Sequence, residues 1–290
     1  MFEGFAREDA VVDDGVRLAV WRGGSGPPIL LLHGYPQTHA IWHLVAPRLA
    51  ERFTVVCPDL RGYGDSEKPC SGRDHSAYSK RTMARDQLAT MHGLGFDAFA
   101  VGAHDRGARV ALRLALDHPE AVSRLAILDI IPTATIYATL DRQRATTVWR
   151  YFFLIQPEDM PERLIGADPL YYLHRTLHEW SGTRGTPTAE AVAEYERCFD
   201  AATVHATCED YRAGASIDLI HDEEDAEESL RCPTLVLWSR DGIGANYDVA
   251  EIWGRRRAPD LRCRALDCGH FIPEERPEQT ATELLEFFGP

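Results

Sequence analysis

One short stretch constrains this chain more than any other: Val101-Gly102-Ala103-His104-Asp105-Arg106-Gly107. Residues 99–102 form a short apolar run of buried-strand type, and residues 107–118 carry apolar side chains at helical spacing. A strand that passes directly into a helix, with small residues at 102, 103 and 107, has to turn tightly. Such a turn lifts Asp105 above the carboxyl edge of a sheet and aims the N-terminus of the next helix at it. In the G-x-S-x-G elbow the lifted residue is a serine nucleophile. Here the pattern is displaced to Gly102-x-x-Asp105-x-Gly107, and aspartate replaces serine. The plain alternative is that Asp105 only caps the helix.

The same alternation runs through the first half of the chain. Strands are expected at 17–22, 29–32, 54–57, 99–102 and 125–128. Helices are expected at 41–51, at 80–94 with Met83, Met91 and Leu94 inward, and at 107–118. Two more strands follow at 234–238 and 262–266. Strands alternating with helices predict an α/β fold class: a mostly parallel twisted sheet with helices on both faces. From 133 to 220 the strand-like runs stop, and helical stretches such as 148–155 and 189–199, rich in aromatics, replace them. The expected organisation is therefore one core, 1–132 with 221–290, carrying an inserted helical lid (cap) at 133–220. The acidic run at 222–228 reads as a solvated face.

Composition narrows the partners. With 290 residues and 44% hydrophobic side chains, the chain can bury a large core. Its formal charge of −14 argues against nucleic acid or an anionic membrane. A small anionic substrate stays open, because clustered arginines can reverse the field inside one pocket. The seven cysteines form no C-x-x-C pair, which fits reduced thiols. The N-terminal residues carry no signal-peptide pattern, and no apolar run reaches the roughly 18–20 residues of a membrane span. A cytoplasmic protein is expected.

Three further features bear on Asp105. His33-Gly34-Tyr35-Pro36 follows an apolar strand, so the N–H groups of Tyr35 and Arg106 can form an oxyanion hole. Cys268-Gly269-His270-Phe271 places a histidine after the last strand, at the same sheet edge. Asp129 ends the strand after the elbow helix and can orient His270; Asp241 is its rival, and Asp129 is preferred. Arg106 and Arg109, at i and i+3 on the first helical turn, suit a substrate carboxylate. The plain reading for Arg109 is pairing with a structural acid.

An aspartate nucleophile restricts the chemistry. A carboxylate displaces a leaving group from saturated carbon and forms an alkyl ester, and water activated by His270 then attacks the carbonyl of Asp105. Attack on an ordinary ester would give an anhydride, so carbon–halogen bonds and epoxides are the remaining substrates.

These residues resemble the fluoroacetate (haloacetate) dehalogenases of the α/β-hydrolase superfamily, nearly end to end. The resemblance is carried by His33-Gly34-Tyr35-Pro36-Gln37-Thr38-His39, His104-Asp105-Arg106-Gly107-Ala108-Arg109 and Leu128-Asp129-Ile130-Ile131-Pro132-Thr133. It continues in Cys208-Glu209-Asp210-Tyr211-Arg212-Ala213-Gly214 and Gly269-His270-Phe271. It implies a triad of Asp105, His270 and Asp129, a carboxylate grip by Arg106 and Arg109, and a homodimer. The sequence departs from the family where a His-Trp pair holds the leaving halide: those positions read Arg150-Tyr151, while Tyr211 is retained. Arg150 either adds a donor at the halide or snorkels to solvent. Tyr151 and Tyr211 are also similar to the two lid tyrosines that protonate the ring oxygen in epoxide hydrolases, so an epoxide substrate is the alternative. Tyr151 has the plain reading of a packing aromatic.

A third reading is a catalytically silent protein of this fold that binds a ligand; unchanged activity in Asp105→Ala would support it. His174 and His178 share a helix face but lack a third metal ligand. Residues 23–26 lack the lysine of a phosphate loop. The basic triplet at 255–257 stands alone. Neither cofactor nor metal is expected.

Overall fold

The computed structural model describes residues 1–289. Eight strands form one sheet: β1 Phe5–Val11, β2 Arg17–Gly24, β3 Pro28–Leu32, β4 Thr54–Pro58, β5 Phe99–His104, β6 Val122–Leu128, β7 Thr234–Ser239 and β8 Leu261–Leu266. Their spatial order is β1-β2-β4-β3-β5-β6-β7-β8. The pairs β1/β2 and β2/β4 are antiparallel, and every later pair is parallel.

Helices cover both faces, and the strand sequences show why. Side chains alternate across a sheet, so a continuous apolar run serves two cores at once. In β3, Leu30 and Leu32 join one cluster with Met83, Met91, Val110 and Leu114. Ile29 and Leu31 join the other, with Leu49, Leu284, Phe287 and Phe288. The first cluster is closed by helices α2 Lys80–Gly93 and α3 Asp105–Asp117; the second by α1 Ala46–Leu49 and the C-terminal helix Pro277–Phe288. Truncating a fully buried residue such as Leu31 would cost about 2–5 kcal/mol.

Between β6 and β7 the chain is helical: α4 Thr133–Ala138, α5 Arg142–Thr147, α6 Trp149–Leu154, α7 Met160–Gly166, α8 Pro169–Trp180, α9 Ala189–Cys198, α10 Ala201–Gly214 and α11 Ile217–Glu224. The core then resumes with α12 Val249–Gly254, α13 Ile272–Glu275 and α14 Pro277–Phe288. Among the described residues, no helix is long and apolar enough to cross a membrane.

The structure corrects three sequence expectations. The helix expected at 41–51 is a 3-10 turn at His39–Trp42 followed by the short α1. Pro47 is the cause, since its ring clashes with a preceding carbonyl and it donates no N–H. Strand β1 was not foreseen, because charged residues lie on both of its faces. The acidic run at 222–228 is only partly a solvated face: Asp222 and Asp225 turn inward onto Arg113, and Asp225 also meets Arg81.

Candidate active site

The turn from β5 into α3 is as tight as its glycines suggest. A Cβ on Gly107 would lie 2.2 Å from the His33 carbonyl, and one on Gly34 would lie 2.4 Å from the Asp105 Cβ. The β3 loop and the elbow therefore pack backbone to backbone. Asp105 itself has a φ of 46°, the left-handed region that non-glycine residues rarely adopt. Its side chain is buried, and Oδ1 accepts the Tyr35 N–H at 2.9 Å. The N–H of Arg106 belongs to the open first turn of α3.

On the other side of Asp105 stands His270, with Nε2 3.7 Å from Oδ2. That distance is too long for a hydrogen bond, and Nε2 is buried without a partner among the described residues. His270 Nδ1 lies 2.6 Å from Asp129 Oδ2. Asp129 also accepts from the Ser239 N–H at 2.7 Å and from its hydroxyl at 2.8 Å. A fully buried carboxylate held by these donors and set against Nδ1 fixes the Nδ1–H tautomer, so the Nε2 lone pair faces Asp105. The rival Asp241 is exposed and lines the cavity mouth.

Charge is arranged to suit these roles. Burial disfavours the His270 imidazolium, but the hydrogen bond and charge of Asp129, with the charge of Asp105, outweigh it and raise the pKa above 6.5. Burial opposes ionisation of Asp105 as well; His270, His104, Arg109 and Arg106 outweigh it and hold the carboxyl below its usual value. His104 is pushed down to about 4, first by burial and then by His270. It stays neutral near pH 7, and its Nε2 lies 2.8 Å from the His270 carbonyl oxygen.

The cationic side chains are placed differently from the sequence expectation. Arg106 does not present a free fork: Nε and Nη2 donate to Asp210 at 2.8 and 2.7 Å, and Tyr211 covers the guanidinium at 4.2 Å. Only Nη1 is left without an acceptor among the described residues. Arg109 donates to the Ile131 carbonyl, the Thr133 hydroxyl and, at 2.7 Å, the Tyr151 hydroxyl; its buried Nε has no partner. Arg150 neither snorkels nor stands free as a halide donor. It is buried, donates to Glu179 at 2.6 Å, and lies against Trp149 and Trp180. Aromatic faces and a nearby carboxylate satisfy it better than solvent would.

Tyr151 and Tyr211 meet edge to face, with ring centroids 5.3 Å apart. The Tyr151 oxygen accepts from Arg109, so its own O–H is free to donate elsewhere. The Tyr211 hydroxyl is buried and unpartnered; burial, then the charge of Asp105, push its pKa well above 10. Both phenols are therefore donors in waiting. A cavity of about 650 Å³ is lined by Asp105, His270, Tyr151, Arg150, Trp180 and Ile243, among others, though not by Arg106, Arg109 or Tyr211.

Sequence reasoning missed several contributors. Asp210, inside a motif valued for Tyr211, joins Arg106, Lys80 and Tyr63 in one buried cluster. Ser239, next to the strand end, fixes Asp129. Trp180, at the end of α8, packs its ring on His270, and its backbone carbonyl accepts the His270 N–H at 2.8 Å. Only the acid at 210, within Glu209-Asp210-Tyr211-Arg212, left a signal in the sequence. Among the described residues, no cluster of three or more His, Cys, Asp or Glu side chains could hold a metal ion.

Strand order, elbow and histidine loop together define an α/β hydrolase: the sequence matches the alpha/beta hydrolase fold family over residues 27–277, and the chain belongs to it. The chain is 44% identical to a fluoroacetate dehalogenase from Burkholderia sp, over 99% of this chain and 95% of that one. It is 36% identical to a soluble epoxide hydrolase of Corynebacterium sp. (strain C12), over 96% and 95% of the two. The solved structure of ALR0039, an α/β-hydrolase-type protein of Nostoc sp PCC 7120, is similar with a TM-score of 0.97 at 52% identity, covering 100% of this chain and 99% of that one.

Proposed function

We propose that this protein hydrolyses a bond at saturated carbon through an ester on Asp105, and that its substrate is a short 2-haloacid. The observation that carries the reaction class is the Tyr35 N–H on Asp105 Oδ1. A serine-type site aims its oxyanion donors at the substrate's carbonyl. Here the donor points at the nucleophile's own carboxyl oxygen, the atom that bears negative charge when an aspartyl ester is hydrolysed.

Asp105 Oδ2 attacks the carbon that bears the halogen, the new C–O bond forms, and the halide leaves with the bonding pair. Water then attacks Cγ of Asp105 and gives its proton to His270 Nε2, while Oδ1 takes the charge beside Tyr35 N–H. Collapse breaks the acyl–oxygen bond, the departing alkoxide takes the proton back from His270, and the Asp105 carboxyl, left protonated, releases its proton to solvent. The sum is R–X + H₂O → R–OH + HX.

Two supports favour the haloacid. Arg106 and Arg109 lie on α3 close enough for their charges to act on the nucleophile, and Arg106 keeps one guanidinium nitrogen, Nη1, without an acceptor among the described residues. The fluoroacetate dehalogenase is also more similar to this chain than the epoxide hydrolase is. The leaving halide would be received by the phenols of Tyr151 and Tyr211, with Arg150 held behind by Glu179.

A second reading, epoxide hydrolysis, is favoured by the phenol of Tyr151, which lines the cavity where Arg106 and Arg109 do not, with the Tyr211 ring packed against it. In it Tyr151 and Tyr211 donate to the ring oxygen, and the later steps are unchanged. Parallel assays with fluoroacetate, chloroacetate and an aryl epoxide, scoring halide against diol, test the choice. Halide release is expected; diol without halide would reverse the assignment. The seven free thiols fit a cytoplasmic location, and the homodimer implied by the family resemblance completes the proposal.

A further inference from the structure

Glu275, the last residue of α13, is a buried carboxylate with no basic side chain within 4.0 Å among the described residues. Its charge is met by backbone instead. Oε2 accepts the Gly269 N–H at 2.9 Å and the Gly182 N–H at 3.0 Å, and Oε1 accepts the Phe271 N–H at 3.1 Å. Gly269 and Phe271 are the two neighbours of His270. Gly182 lies just past α8, in the lid. A single side chain therefore holds the peptide on either side of the candidate base and the lid segment that crosses it.

The crossing is close. A Cβ on Gly269 would lie 2.1 Å from the Gly182 nitrogen, and one on Gly182 would lie 2.5 Å from the Gly269 nitrogen. The lid chain is further joined to the loop by the His270 N–H to Trp180 carbonyl bond at 2.8 Å. Any movement of the lid at 180–182 is thereby passed to the histidine loop.

We infer that Glu275 is a positioning residue that ties the lid to the orientation and basicity of His270. This rests on the hydrolytic reading above. The charged and titratable groups facing His270 are Asp129 from the end of β6, Asp105 from α3, His104 from β5 and Glu275 from α13. Asp129 fixes the ring directly. Glu275 fixes the backbone that carries it, and adds negative charge that favours the imidazolium.

Glu275→Gln removes the charge and turns an amide N–H toward at least one backbone N–H. Loss of alignment at the water-activating step is expected to lower kcat roughly 10- to 100-fold. The alkylation half-reaction, measured as the initial burst of halide or ring opening per active site, stays near wild type, so the aspartyl ester accumulates. The acid limb of the kcat–pH profile moves to lower pH, because the imidazolium has lost a favourable charge. Gly182→Ala disturbs the same joint without altering charge; its kcat falls and its acid limb stays in place. Should Glu275→Gln fail to fold, judged by near-UV circular dichroism, Gly182→Ala still tests the coupling. An unmoved limb with unchanged deacylation in Glu275→Gln, or wild-type deacylation in Gly182→Ala, would overturn the inference. A wild-type enzyme that forms no ester at all would instead refute the hydrolytic reading.

Discussion

The Tyr35 amide donates to Asp105 Oδ1 at 2.9 Å, while His270 Nε2 stands 3.7 Å from Oδ2 of the same carboxylate. One oxygen is thus held by the backbone and the other is left to react. Asp105→Ala is expected to abolish turnover. His270→Gln is expected to leave the first chemical step intact and to slow release by about 10²–10⁴-fold, the range for loss of a general base. A rapid-quench experiment checks this: one equivalent of halide or opened ring per site, with ester retained. Steady multiple turnover in His270→Gln would contradict the role of His270.

The pH dependence follows from the direction of the His270 shift. His270 must be neutral to take a proton, and Asp129 and Asp105 raise its pKa above 6.5. Turnover limited by ester hydrolysis should fall as pH drops through that raised value. Asp105, held below its usual pKa, stays ionised throughout this range. Asp129→Asn removes the main favourable charge, so the limb should move to lower pH while the plateau drops. A limb that stays in place in Asp129→Asn would reassign the titrating group.

How the lid phenols act is separable by substrate. Tyr151→Phe and Tyr211→Phe each remove one donor. On a haloacid, loss of a single halide contact should cost about 10- to 150-fold in kcat/KM, the value of one hydrogen bond to a charged group. On an epoxide, loss of a ring-opening acid should cost about 10²–10⁴-fold. Steady-state kinetics of both variants on both substrates decides which pattern holds.

Asp210 binds the lid helix α10 to the nucleophile helix through Arg106 and also meets Lys80. Burial opposes its ionisation, but Arg106 and Lys80 hold its pKa well below 3.8. Asp210→Ala leaves buried Arg106 without its acid and Lys80 with only Asp218, at 3.8 Å, and is expected to cost about 3–5 kcal/mol. Urea unfolding at pH 7 measures it. The stability Asp210 supplies is present above its unfolded pKa of about 3.9 and is lost as pH falls toward its lower folded value. An unchanged urea midpoint would show the cluster to be neutral to stability.

The sheet, the elbow and the histidine loop were legible because each depends on local pattern: β3 and β5 as apolar runs, Gly102 and Gly107 around Asp105, Gly269 before His270. Local pattern says little about where a long side chain goes. Arg106 is adjacent to the nucleophile in sequence, yet its guanidinium is spent on Asp210, 104 residues away. Arg150 lies in an aromatic stretch, and only the fold shows that Trp149 and Trp180 enclose it. Glu275 could not be read at all, since its partners are backbone N–H groups that carry no sequence signature. The helix expected at 41–51 is interrupted by Pro47, a residue plainly in view, because apolar spacing does not register a missing N–H.

The most direct test of the account is a single turnover in ¹⁸O-enriched water with enzyme in excess, followed by mass spectrometry of the peptide containing Asp105. The heavy oxygen is expected to enter the Asp105 carboxylate, and the first product to carry ordinary oxygen from the enzyme. Label found in the product, with none in Asp105, would contradict it.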